Sequence, residues 1–425
     1  MRGNIKKSIE KLLSITEKSP VYSAWTAGIL LFLFFYYAFT WGGLTKEVDF
    51  CRQPFCDFVD YYYPMGEAIF ITGVPVEGFL YSAFTAILFS LFPPIGLEAS
   101  LAVWGILLII FVVLYIYLSI KLLPDKPEVK LLITALVLSS YPAVLNQLGG
   151  QVSLFIIVPL LGFLILYEKG RGALGALLLA LAVSFKFYPV LFFIPFLLKR
   201  DIRFLIFGTA ALITILFLIP AIFIGAGNTF SFYENLIGSF IDSEWVTKNP
   251  HSQFFPHYML RVTDAFGFDT RSFLPVLRWI SYAIAAANIG LIYFIQRSGV
   301  PRANLRSFQI IFMTIPFVLK TSWPHDFIFL PFIQAFIAGE LITDKNSVET
   351  TAIFRSRNAM AALLIISIIL SNIIFFNLLN NFELYGHLGF LFLSNLLLLV
   401  IFYIKLLPLA LRSASVSAAA SQSTT

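Results

Sequence analysis

Asp57 and Asp60 stand three residues apart in CDFVDYYYPMGEAI (56–69), and Tyr61, Tyr62 and Tyr63 follow at once. Residues three apart on a helix are neighbours, so a short helix here sets both carboxylates on one side. A carboxylate beside an apolar phase, with an ordinary or raised pKa, can take a proton as a general base. The plainer reading is a solvated loop face, and the plainer reading of the tyrosines is an interfacial anchor.

Lys186 is the second chemical oddity. It is the one charge in LLLALAVSFKFYPVLFFIPFLL (177–198). A charge at the centre of a span costs about 2.5–3.5 kcal/mol on insertion scales. Snorkelling to a surface requires the run to be a hairpin turning near Lys186–Pro189. In either arrangement the ammonium faces an anion or a water-filled cavity, and a lipid phosphate suits it. His325, in SWPHDF, is either helix-end polarity or a phosphate or acid–base contact, and Asp326 suits a cap for the run that follows. In NQLGGQVS (146–153), Gly149 and Gly150 permit close backbone approach, and Asn146 and Gln151 bring amides suited to sugar hydroxyls. A simple turn between helices uses the same residues. Residues 227–272 hold Trp245, Asn249, His251, Ser252, His257 and Arg261, a mixture suited to a carbohydrate or a headgroup.

These residues sit among elements that cross a membrane. Of 425 residues, 59% are hydrophobic and 12% charged, against about 25% charged in soluble domains. The apolar runs are continuous and not alternating, which predicts helices and not a barrel. Runs near 22–41, 98–122, 130–146, 152–168, 204–226, 273–296, 306–321, 325–343, 358–380 and 388–408 make ten. The short apolar stretch 79–93 and the interrupted one at 173–198 raise the expectation to about 10–13. The fold class is therefore an all-α polytopic bundle, a single domain over 1–412 with a flexible Ser/Ala-rich tail at 413–425.

The net charge of +6 does not point to nucleic acid, because the basic residues cluster beside the spans as orientation signals do. Lysines and arginine crowd residues 2–18, which predicts a retained signal anchor with a cytoplasmic N-terminus; an even count of spans returns the C-terminus to the same side. The first loop (42–78) and the long segment 227–272 then lie outside, with short helices along the interface. Cys51 and Cys56 fit a small disulfide in that first loop or two free thiols. No Gly-rich phosphate loop, HExxH, Cys/His metal set or GxSxG is present, and no cofactor is expected. Asp49, Asp57 and Asp60 do not demand a metal by their spacing. At this stage the residues fit an enzyme, a lipid or sugar transporter or flippase, or a scaffold of a glycan-assembly complex; no inverted repeat is visible.

The ordered set of motifs resembles glycosyltransferase family 87 of the GT-C superfamily. It runs Asp57-Phe58 with Tyr61-Tyr62, then Ala68, Gly73 and Tyr81, then Asn146, Gly150, Gln151 and Ser153, then Lys186 and Pro189, and last Ser322, Trp323 and His325. Two positions depart from the pattern: Lys186-Phe187 stands for Lys-Pro, and Tyr81-Ser82-Ala83 for Tyr-Pro-Pro. The resemblance implies a GT-C-type bundle and a polyprenyl- or dolichyl-phosphate sugar donor, most often mannose, with a lipid or glycan acceptor among membrane lipids. It implies an inverting transfer with Asp57 as general base, Asp60 second and Asp49 third. Lys186, His325 and Arg261 become the expected donor-phosphate contacts, and Tyr61, Tyr62, Asn146, Gln151 and Trp323 the sugar or acceptor contacts.

Overall fold

The computed structural model describes residues 53–239, 246–247, 249–265, 267, 271–343, 357–379 and 381–422. The expected first span, Asp49 and Cys51 lie outside the described residues. Cys56 is buried and disulfide-bonded.

All regular structure among the described residues is helical. In a hydrocarbon phase every backbone group needs an internal partner, and an apolar run satisfies that by coiling. Among the described residues five helical stretches are long and apolar enough to cross a membrane: Leu97–Leu122, Ile202–Ile224, Leu274–Arg297, Pro324–Thr343 and Phe382–Pro408. Shorter apolar helical stretches are Ala83–Ile95, Leu154–Glu168, Gly172–Phe185, Tyr188–Lys199 and Arg357–Leu370. The chain is thus an all-α, multi-pass membrane protein.

Several expected runs are broken, for local reasons. The run at 130–146 is two helices, Pro127–Ser139 and Tyr141–Gly149, separated by an extended Ser140. Pro142 has no N–H with which to continue the first helix. Ahead of Pro220, the helix Ile202–Ile213 passes through a π-helical turn at Thr214–Leu218, where the hydrogen-bond ladder shifts before the missing N–H. The run at 358–380 breaks between Arg357–Leu370 and Ile373–Leu379. Gly389, at φ +65°, separates Phe382–His387 from Phe390–Gln422. That last helix continues through the Ser/Ala-rich stretch from residue 413 as far as Gln422, in keeping with alanine's helix propensity.

The fold divides into two compact units, Met1–Val190 with Ile206–Ser243, and Leu191–Leu205 with Glu244–Thr425. In the first unit Leu154–Glu168 packs against Gly172–Phe185 and against Leu97–Leu122. Its core is aromatic: Trp104 stacks between Phe58 and Phe155, with ring centroids 5.0 and 4.9 Å away. In the second unit Leu274–Arg297 packs on Ala303–Val318, and Arg357–Leu370 on Phe390–Gln422. Polar side chains tie these helices internally. Asn288 donates to Thr314 (2.9 Å) and accepts from Tyr403 (2.7 Å). Arg306 and Lys405 both bond Glu340, at 2.6 and 2.7 Å.

Candidate active site

The stretch carrying Asp57 is a π-helical turn, Phe58–Tyr62, that runs into the helix Tyr63–Thr72. Its defining bond joins the N–H of Tyr63 to the carbonyl of Phe58, five residues back. Asp57 is 8% exposed, whereas Asp60 is exposed to solvent. The two carboxylates thus differ in exposure, while the charge of Asp60 still acts on Asp57.

Two contacts pin this turn to the end of the helix Tyr141–Gly149. The N–H of Phe55 donates to Leu148 O at 2.8 Å, and Phe55 lies directly on Gly150. Gly150 closes that helix at φ +69°, the left-handed conformation that glycine adopts without strain. A β-carbon there would come within 2.8 Å of Phe55 Cβ and 3.1 Å of Trp104 Nε1. Trp104 in turn donates to Gly150 O at 3.0 Å. The Gly-Gly turn read from sequence is thus a seat for the segment that bears Asp57.

Gln151 follows that seat. Its side-chain amide donates from Nε2 to Asp57 Oδ2, and its Oε1 accepts from Tyr62 OH at 3.0 Å. Tyr62 OH is 2.8 Å from Tyr81 OH. Tyr62 is fully buried and stacks on Phe89, with centroids 4.7 Å apart. Tyr61 is partly exposed, its ring lying over Gly78. Asn146 is fully buried; with its amide oriented to satisfy both atoms, its nitrogen donates to Gln151 O (3.3 Å) and its oxygen accepts from Ser153 N (3.2 Å).

Lys186 stands where the helix Gly172–Phe185 ends in an extended residue, φ −152°, ψ 147°. The interruption expected near Lys186–Pro189 is present. The preceding turn is held by Ser184 O, which accepts from Thr85 Oγ1 (2.6 Å) and from Ser82 N (3.4 Å). These bonds satisfy one of the carbonyls left over at a helix C-terminus. Lys186 is half-buried, and its charge acts on Asp57. Burial first, and then the neighbouring Asp60 carboxylate, push the Asp57 carboxyl up to about 7; Lys186 pulls the other way. Burial and the carboxylates of Asp57, Asp60 and Glu77 raise Tyr61. The first unit therefore brings together Asp57, Tyr62, Gln151 and the charge of Lys186, and leaves Asp60 outside that buried set.

The remaining expected residues lie in the second unit. Trp323 and His325 sit on a 3₁₀ turn, Pro324–Phe329, leading into Leu330–Thr343. Asp326 caps the turn, its Oδ2 accepting from Trp323 N at 3.2 Å, as its position in sequence suggests. His325 is buried, and its Nε2 is 3.9 Å from Asp326 Oδ1. Arg261, on the helix Phe255–Ala265, is buried and donates to Asn249 O (3.3 Å) and Gly386 O (3.5 Å). Its Nε is buried without a partner, and it forms no ion pair among the described residues. Burial lowers Arg261 to about 10, so it stays cationic. Burial, with the charges of Arg261 and His387, lowers His251 to about 3, so it stays neutral.

Three participants were not read from the sequence as partners: Trp104, Tyr81 in its bond to Tyr62, and Gln253. Gln253 is buried in the second unit, donates to Gly386 O (3.2 Å) and accepts from Phe392 N (3.4 Å). A tryptophan inside a span carried a weak signal; a buried glutamine in a polar loop carried none. Among the described residues no group of three His, Cys, Asp or Glu is placed to hold a metal ion.

The family model of glycosyltransferase family 87 matches residues 79–320. No curated protein and no solved structure matches the chain.

Proposed function

The chain belongs to glycosyltransferase family 87 and is a membrane glycosyltransferase; from that premise we propose that it moves a hexose, mannose first among the choices, from a polyprenyl or dolichyl monophosphate to a lipid or glycan acceptor at the outer face of the membrane. Transfer inverts the anomeric centre. Asp57 takes the proton of the acceptor hydroxyl as that oxygen bonds the anomeric carbon. The bond from that carbon to the phosphate oxygen breaks, and the lipid phosphate leaves carrying the negative charge. Lys186 stabilises the charge developing on it. Arg261 and His325 are proposed as further contacts for anionic parts of a substrate, and Asn146, Tyr61 and Trp323 as contacts for sugar or acceptor.

The observation that supports this reading best is the contrast between two nearby carboxylates. Asp60 is exposed, while Asp57 is buried, raised to about 7 and under the influence of a lysine. A base is most effective when its pKa lies near the working pH.

Purified full-length protein with radiolabelled polyprenyl-phosphate mannose and a panel of lipid and glycan acceptors tests it. Wild-type transfer is expected, with loss of about 100-fold or more in Asp57→Asn. Equal transfer by both removes Asp57 from the role of base. Absence of transfer from every lipid-linked sugar tried overturns the proposed class of donor.

A further inference from the structure

We propose that Gln151 is a positioning residue for Asp57, and that Tyr62 and Tyr81 fix the orientation of its amide, so that one oxygen of the base is held and the other receives the acceptor's proton. The proposal rests on the reading of Asp57 as the base, and it changes what Gln151 does: the amide serves the protein's own carboxylate and not the sugar.

The chain of bonds has a direction. An ionised carboxylate only accepts, so the amide must turn its Nε2 toward Asp57 Oδ2, which leaves Oε1 pointing at Tyr62. The single hydroxyl proton of Tyr62 is committed to that Oε1 at 3.0 Å. In the 2.8 Å contact between the two tyrosines, Tyr81 must then be the donor. A reversed amide would set Oε1 against the carboxylate, and two acceptors repel. The order Tyr81 to Tyr62 to Gln151 to Asp57 is therefore the one that satisfies each group while Asp57 is charged. All four side chains are buried, where a half-satisfied network is costly.

Both ends of the amide–carboxylate pair are anchored on the same helix terminus. Gln151 N donates to Asn146 O at 2.9 Å, closing the helix Tyr141–Gly149, and Phe55 N donates to Leu148 O of that helix at 2.8 Å. The distance between amide and carboxylate is thus set by backbone bonds to one element. With Oδ2 held, Oδ1 is the oxygen that takes the proton, and the network survives the step unchanged.

The other groups acting on Asp57 are Asp60 and Tyr61 on its own turn and Lys186 at the end of Gly172–Phe185. None of the proposed changes alters their charge. Loss of an N–H donor to the charged form raises a carboxyl. Full-length protein in detergent, titrated by infrared spectroscopy with Asp57→Asn subtracted, gives the protonated-carboxyl band of Asp57 without any substrate. Gln151→Leu is expected to move its midpoint up by about one pH unit, Tyr62→Phe by less and Tyr81→Phe by least. Tyr62→Phe removes one oxygen and keeps the ring stacked on Phe89, so it guards against a Gln151 variant that does not fold. In transfer assays with polyprenyl-phosphate mannose, kcat falls and the donor KM holds.

An unmoved midpoint in both Gln151→Leu and Tyr62→Phe overturns the proposal, even where Asp57→Asn is inactive and the base reading stands. A raised donor KM with an unmoved midpoint also overturns it, and returns Gln151 to the sugar. If Asp57→Asn transfers as well as wild type, the base reading falls, while the infrared titration still decides whether Gln151 holds the carboxylate.

Discussion

Around Asp57 a carboxylate is buried and a lysine acts on it; around Arg261 a guanidinium is buried beside a half-buried imidazole, and no carboxylate pairs with them among the described residues. The two clusters lie in different units and treat charge differently. In the first, burial and Asp60 bring an acid to about 7, where a small change of pH changes its state. In the second, Arg261 at about 10 and His251 at about 3 hold one state each across the physiological range. The first arrangement suits proton transfer. The second suits a permanent positive charge presented to an anion. Removing a group from each tells whether the division of labour is real.

The largest effect falls on Asp57, and it has two signs. Asp57→Asn is expected to lower transfer about 100-fold or more, yet it should stabilise the fold at high pH. The folded carboxyl is raised above its unfolded value of 3.8 to about 7. The native state therefore binds more protons between those values, and stability is lost as pH rises through that window. Above about 7 the buried charge costs on the order of a few kcal/mol. Melting curves in detergent should show the variant more stable than wild type at pH 8, with the gap closing toward pH 4. A variant that is less stable at pH 8 would mean that its partners stabilise the Asp57 charge more than burial opposes it.

Next comes Lys186. Lys186→Met is expected to raise the donor KM about 10- to 100-fold, the range for a lost hydrogen bond to a charged group. It should also move the acid limb of the pH profile upward, because Lys186 is the group that lowers Asp57. Donor titrations at several pH values read both. An acid limb that stays in place would separate the lysine from the base.

Each cluster also leans on a glycine. Gly150 has φ +69°, and a β-carbon there meets Phe55 at 2.8 Å. In the second cluster a β-carbon on Gly386 meets His251 Nδ1 at 2.8 Å and Pro250 O at 2.9 Å. Gly150→Ala combines left-handed strain with overlap and should cost about 2–4 kcal/mol. Gly386→Ala has the overlap alone and should cost about 1–3 kcal/mol. Thermal unfolding ranks them. Only the Gly150 variant should disturb the titration of Asp57.

How far the sequence carries can be seen in these same residues. The helical class followed from continuous apolar runs, and the spans at 98–122 and 273–296 are present as Leu97–Leu122 and Leu274–Arg297. Lys186 stood out because a lone charge in an apolar run has few explanations, and the helix does end there. Asp57 ranked ahead of Asp60 only through the family resemblance; that one is buried and the other exposed has no signature in FVDYY. Gln151 was legible as a polar residue after a Gly-Gly turn. That its amide meets Asp57, 94 residues away in sequence, is a tertiary fact that no local pattern encodes. Arg261 and His251 read as part of a polar segment suited to a carbohydrate or headgroup, with Arg261 a phosphate contact by resemblance; that one stays charged and the other neutral follows only from their surroundings in the fold.

The smallest expected effect is on His251, and it is the sharpest test of the contrast. A histidine is the usual suspect for pH sensitivity near neutrality. Here the imidazole lies against the ring of Phe382, with centroids 3.7 Å apart, and burial together with Arg261 and His387 takes its pKa to about 3. It is thus already neutral through the range in which Asp57 titrates. His251→Asn should leave the acid limb of transfer where it is and lower stability by about 1 kcal/mol through lost packing. If the limb moves with His251 and stays fixed with Gln151 and Lys186, the proton-sensitive cluster is the second one, and the assignment of the two regions is reversed.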